Sequence, residues 1–353
     1  MKKMILLLFA FPALAFAAFN GSWVIGASDR WWKQSQFACF DAAGKQTALV
    51  TLAEKLGPKF PGSQLRCPNT ASMDKDGRLW ALVVVDAADP FKKVCDYWLA
   101  CFGTDGSLVL TVELARGKSP YFSYALSART ADGSVWVCDA NTGTLERYGA
   151  DGKRIDSKQL PAYKGGKQLA AIPGTGEAWL GGPETNFDYH INRLTAPGTS
   201  VAAFVRRYLS PERIVACADG GLWFIGYQNL GNYNVFHHLI HLDAAGRIVW
   251  QDKTKSDNKL GNVLAGTADG GVWMKRMDKY DKYHLVRMDG MGEVKARVAG
   301  YSDGETLQIA PGGAVWFLGR LEGKWGLYRL DDQGQILQRC NTIPVKYQHA
   351  VAN

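Results

Sequence analysis

Past residue 18 the sequence holds no apolar run approaching the roughly 20 residues that a membrane-spanning helix needs, so no membrane span is expected. Also missing are Gly-x-Ser-x-Gly, a Gly-rich phosphate loop and His-Glu-x-x-His. These are the local signatures of an acyl-transfer elbow, a nucleotide cradle and a zinc hydrolase. There is no Cys-x-x-Cys-His haem attachment and no paired Cys-x-x-Cys zinc spacing, so no cofactor and no metal site is expected. No Pro/Gly/Ser linker or low-complexity tract divides the chain. Charge of one sign is only slightly in excess: 41 Lys and Arg face 33 Asp and Glu, a formal +8. A balance this even, without a recognisable binding module, argues against a nucleic-acid partner.

The first 18 residues have the layout of a secretory signal. Lys2 and Lys3 precede the apolar stretch Met4 to Phe11, and Ala13 to Ala18 offers small-residue cleavage sites. Its removal lowers the formal charge to +6. The first cysteine, Cys39, lies well beyond the cleavage region, unlike that of a lipoprotein. A periplasmic or secreted protein follows, with residues 19–353 as its one domain. Such a compartment permits disulfides among the seven cysteines, and the odd count leaves at least one thiol unpaired or intermolecular.

The dominant feature is a repeat. Asp219-Gly-Gly-Leu-Trp223 returns as Asp269-Gly-Gly-Val-Trp273, Asp132-Gly-Ser-Val-Trp136 and Asp76-Gly-Arg-Leu-Trp80, with looser copies around Trp23, Trp179 and Trp316. The seven Trp recur about every 43–57 residues, the period of propeller blades built from short strands. A second signature follows each Trp, as in Leu285-Val-Arg-Met-Asp-Gly-Met-Gly292 and Leu327-Tyr-Arg-Leu-Asp-Asp-Gln-Gly334. It reads as a strand entering an Asp/Gly hairpin turn. An Ala-rich strand before each Gly turn completes four strands per unit.

An all-β, seven-bladed β-propeller of four-stranded antiparallel blades is therefore expected. The Ala-rich strands lie innermost, where space is tight, and the Trp pack between blades as core. The unit of Trp23 has no preceding Ala-rich strand, whereas Gln348 to Asn353 has that composition. The C-terminal strand is expected to pair with the N-terminal Trp strand and close the ring.

Four-stranded blades put both kinds of tight turn on one face, and the long loops on the other. Function usually rides on such loops. Those loops mix cations with aromatic rings, which suits an anionic or sugar-like ligand. The candidate binding residues are Trp31, Trp32, Lys92, Lys93, Tyr233, Lys279, Tyr280 and Lys282. Glycan, anionic polymer or envelope protein are the partner classes, with the chain as a monomer.

His190, His238 and His284 hold equivalent places in three successive units. Third strands lie about 15 Å from the axis, which spaces equivalent atoms by about 13 Å. Nitrogens sharing one zinc must approach within about 3–4 Å, so hydrogen bonding within a blade is the expected role. Equivalent Cys39 and Cys101 point the same way around the ring. Cys67, Cys95 and Cys138 converge near the long-loop face, with Cys67–Cys95 and Cys95–Cys138 as the leading disulfide pairs, while Cys217 reads as packing. Ser72-Met-Asp-Lys-Asp-Gly77 lacks the downstream Glu of a calcium loop and reads as a turn.

The pairing of Asp-Gly-x-Val-Trp-Phe with Leu-x-Arg-Leu-Asp-x-x-Gly resembles the repeats of NHL-type propellers and of the virginiamycin B lyase family, over essentially the whole mature chain. The lyase resemblance implies a His general base and a magnesium site near the central channel. Two functions follow as expectations. The first is a non-catalytic binding or protein-interaction scaffold working through the long-loop face. The second is a lyase-like or lactonase-like enzyme with a divalent metal at the channel mouth.

Overall fold

The computed structural model describes residues 19–27, 35–67, 70–86, 94–118, 124–160, 168–183, 188–195, 199–207, 209–229, 235–255, 260–277, 282–340 and 347–350. The strands form seven antiparallel sheets set in a ring, with the innermost strands of neighbouring sheets in contact. Apart from the short helix Leu52–Leu56, the regular structure among the described residues is all strand.

Blade 5 shows the plan. Its strands run outward as Leu209–Ala216, Leu222–Asn229, Val235–Leu242 and Ile248–Lys255, each hydrogen-bonded to the next. Blades 3, 4, 6 and 7 repeat that order, with inner strands Tyr124–Ser127, Gln168–Ala171, Leu260–Gly266 and Tyr301–Ile309. In blade 2 the inner edge is split into Gln64–Arg66 and Ala71–Met73, both on Leu79–Asp86. In blade 1 the order is Tyr347–Ala350, Ser22–Ala27, Ser35–Phe40 and Gln46–Thr51, so strands from the two ends of the ring share one sheet.

The repeated motifs have a physical role at every seam. Each motif Trp is buried and faces one third-strand residue across the sheet: Cys39, Cys101, Arg147, Arg193, His241, Arg287 or Arg329. In several blades the indole N–H crosses to the turn of the next one. Trp179 Nε1 donates to Gly220 O at 3.1 Å and Trp223 Nε1 to Gly270 O at 2.9 Å. Third-strand cations do likewise: Arg193 donates to Ala244 O and Arg329 to Ala42 O, both at 2.8 Å. Where the buried indole's one donor is satisfied in this way, it fixes that blade against its neighbour.

The Asp-x-x-Gly turns also follow one scheme. Asp243 Oδ1 accepts from Ala245 N and Arg247 N, both at 2.9 Å, and Gly246 adopts φ +78°. A register shift between third and fourth strands recurs in all seven blades. One extra residue sharpens the local twist there, and the left-handed position requires glycine. Nearer the axis, hydroxyls stitch inner strands together: Ser72 Oγ accepts from Ala128 N at 3.0 Å and Ser127 Oγ from Ala171 N at 2.9 Å.

Candidate functional site

A cavity of about 830 Å³ opens where the first turns of several blades converge. Blade 2 contributes Asp74 to Asp76, blade 3 Arg129 to Ala131, blade 4 Pro173 and Gly174, and blade 7 Pro311. Turns from blades 4 and 7, well apart around the ring, line one cavity only if it lies over the axis. It sits on the tight-turn face, opposite the face that the loop chemistry of the sequence favours.

Four charged side chains line this space: Asp74, Lys75, Asp76 and Arg129. Three are committed to one another or to the scaffold. Asp74 is fully buried, and its Oδ1 accepts from Asp76 N at 2.9 Å and Arg78 N at 3.0 Å. Its Oδ2 accepts from Arg78 Nε at 2.7 Å and Trp80 Nε1 at 3.1 Å. Residues 74–77 are thus a turn held by Asp74, while Ser72 and Met73 of the stretch read as a turn end the inner strand. Lys75 Nζ and Asp76 Oδ1 form an exposed pair at 2.8 Å.

Arg129 is the exception. Among the described residues it has no hydrogen-bond or ion-pair partner, and the cavity is the open space it meets. Loss of solvent draws its guanidinium down to about 10, with the Cys217 side chain across the axis as a weak opposing influence. It remains a cation at neutral pH. Its position has a local cause. In blade 3 the Trp-facing residue is Ser127, and two residues, Ala128 and Arg129, separate it from the turn that begins at Thr130. In blade 5 the Trp-facing residue is Val215, and Ala216 alone separates it from Cys217. The one additional residue in blade 3 is a cation, where the blades numbered 2, 4, 5, 6 and 7 place the uncharged Met73, Ala171, Ala216, Gly266 and Ile309. That insertion was visible in the sequence, and it is the signal missed there.

Of the residues expected to bind ligand, Trp31, Trp32, Lys92, Lys93, Tyr233, Lys279 and Tyr280 lie outside the described residues. Lys282 is exposed, just before the third strand of blade 6, Tyr283–Met288. The equivalent histidines do share one register position, facing Gly182, Gly226 and Arg276. His238 Nε2 lies 3.0 Å from Gln228 Oε1 within its own blade. His241 stacks on Trp223 with ring centroids 4.5 Å apart, and its Nδ1 meets Gly290 O at 2.7 Å. Burial lowers its basicity. Among the described residues no group of three or more His, Cys, Asp or Glu is arranged to hold a metal ion.

The expected disulfides do not form: all seven cysteines are buried and none is bonded to another. Cys67, Cys95 and Cys138 belong to three different apolar clusters on successive seams of the ring, so blades separate them. Cys95 Sγ instead donates to Asp86 Oδ1 at 2.9 Å, beside an Arg66–Asp86 ion pair at 3.2 Å. Burial pushes the Cys39, Cys101 and Cys138 thiols up to about 12 and that of Cys95 to about 11.

The class is a seven-bladed β-propeller. No family model and no curated protein matches the chain. Among solved structures it is similar to the Pan2 WD40 domain of Neurospora crassa, at 12% identity and TM-score 0.51, over 78% of this chain and 79% of that one. A protein from Lactobacillus plantarum is similar at 12% identity and TM-score 0.51, over 94% and 98% of the two chains. Virginiamycin B lyase from Staphylococcus aureus, with quinupristin, is similar at 17% identity and TM-score 0.47, over 80% and 86%. At these identities the likeness is one of fold.

Proposed function

We propose that the protein is an exported binding propeller that acts without catalysis and holds an anionic group of its ligand in the axial cavity. The observation that carries this is Arg129: a cation facing a large cavity and paired with neither carboxylate in its wall. A half-buried guanidinium without a partner has lost part of its hydration, and an incoming carboxylate, phosphate or sulfate offsets that loss with charge-assisted bonds. Groups capable of chemistry are engaged in the scaffold: Asp74 in the cavity wall receives four donors, and on the third strand of blade 5, outside the cavity lining, His238 and His241 are held by Gln228 and a backbone carbonyl. Export rests on the leader-like residues 1–18, and the long-loop face with Lys282 is a second contact area for a polymeric ligand.

Calorimetric titration with inorganic phosphate, citrate and an acidic oligosaccharide tests this. At least one should bind the wild-type protein, and Arg129→Met should weaken it ten-fold or more. Equal binding by both proteins, or no binding of any anion, rejects the axial site. A ligand whose affinity falls instead with Lys282→Ala places binding on the long-loop face.

A further inference from the structure

A second enclosed cation lies on the same side of the ring as Cys217. Arg213 is part of the innermost strand of blade 5, Leu209–Ala216, opposite Ile225 and next to a bulge at Pro211. Its strand neighbour Ile214 belongs to an apolar cluster with Ile172 and Trp179 of blade 4, while Val215 belongs to one with Leu264 and Val272 of blade 6. Side chains alternate along a strand, so Arg213 leaves its strand on the blade 6 side. It is half-buried, on a strand whose free edge borders the axis. It is not among the residues that line the cavity under the tight turns, and lies further along the same inner edge.

Like Arg129, Arg213 has no hydrogen-bond or ion-pair partner among the described residues, and loss of water is the one influence on its basicity. The inner strands of other blades carry neutral residues at this register: Ala125 faces Cys138, Gln168 faces Gly181 and Thr306 faces Leu318. Two uncompensated guanidinium groups thus occur on the innermost strands, in blades 3 and 5. Arg129 senses the Cys217 side chain, at the turn end of the blade 5 strand. Arg213 lies four residues from Cys217, about 13 Å along an extended strand.

Resting on the axial binding site proposed above, we infer that its ligand is an elongated dianion. One anionic end sits on Arg129 at the cavity mouth and the other on Arg213, deeper along the axis. A compact anion reaches Arg129 alone. A chain bearing carboxylate, phosphate or sulfate at both ends spans the two cations, and joining the two contacts raises affinity without new chemistry. Arginine suits such ends because its planar fork meets two oxygens at once.

The straight-chain dicarboxylates from succinate to sebacate serve as a ruler, titrated by calorimetry into wild-type protein, Arg129→Met and Arg213→Met. In the wild type, affinity should rise at least ten-fold once the chain is long enough to bridge the cations. Arg213→Met should abolish that rise while keeping the weak affinity for succinate, and Arg213→Lys should restore part of it. Thermal denaturation of each variant verifies the fold, and Arg213→Met should melt no lower than wild type. A flat length series, or a rise that survives in Arg213→Met, overturns the two-cation inference. Binding of every chain length unaffected by Arg129→Met overturns the axial site itself.

Discussion

The seams between blades and the axis of the ring treat arginine in opposite ways. At the seam of blades 4 and 5, Arg193 stands opposite Trp179, bonds Glu177 Oε2 at 2.6 Å and donates to Ala244 O of the next blade. At the seam of blades 3 and 4, Arg147 lies over Trp136, donates to Ser134 Oγ at 2.8 Å and pairs with Asp132. Every contact of these residues is provided by the protein. At the axis, Arg129 and Arg213 are enclosed without such contacts. A paired charge at a seam stabilises the ring, whereas an unpaired one at the axis costs stability. The seam arginines therefore belong to the scaffold, and the axial ones are explained by something outside the chain.

The contrast can be broken by mutation, beginning with the largest effect. Trp223→Ala removes a fully buried indole, its stack on His241 and its bond to Gly270 O. It should cost about 3–5 kcal/mol, read as a fall in the urea midpoint. An unchanged midpoint would show that the Trp are not the seam. Arg193→Met strands the partly buried Glu177 and should cost about 1–3 kcal/mol by the same measurement. A stabilised variant would place Arg193 with the axial class.

Blade 5 offers a gentler test, because its third strand carries His241 where blades 3, 4, 6 and 7 carry arginine. Burial holds the folded imidazole below its ordinary value, ahead of smaller opposing influences from Gly290, Asp219 and Asp243. The unfolded state then binds the extra proton first. Stability from this group is intact above about pH 6.5 and falls as the pH drops towards the folded value, by at most about 1.4 kcal/mol per pH unit. Melting at pH 7.5 and 5.5 should show a smaller acid loss in His241→Arg than in the wild type; an equal loss removes His241 from the acid response. The smallest effect concerns the thiols. With Cys39, Cys101 and Cys138 raised to about 12, iodoacetamide at pH 8 should leave these three unlabelled in the native protein and label them in urea. Native labelling at any of them would contradict the burial.

The fold was legible because its signals are periodic. Four Asp-Gly turns with their looser copies, seven Trp and seven hairpin motifs each report a local necessity, a left-handed glycine or a buried indole, and repetition multiplies them. The wide spacing of equivalent third-strand positions, about 13 Å, also explained why His238 bonds within its blade. The axial site was harder to see because it breaks the repeat. Arg129 arrives with one added residue in a strand end, and Arg213 replaces a neutral residue beside a bulge. Neither forms a motif, and both acquire meaning once blades 3 and 5 are brought to one axis. The cysteines failed for a related reason: proximity along one face does not reveal that Cys67, Cys95 and Cys138 are walled off by successive blades.

The most direct measurement is the unfolding free energy of wild-type protein and Arg129→Met, with and without inorganic phosphate. The account expects Arg129→Met to be at least as stable as wild type in its absence, because an unpaired enclosed charge has been replaced by an apolar side chain. Phosphate should stabilise the wild type alone. A variant destabilised as much as Arg193→Met, or one stabilised by phosphate as strongly as the wild type, would contradict the claim that Arg129 is held in reserve for an anion.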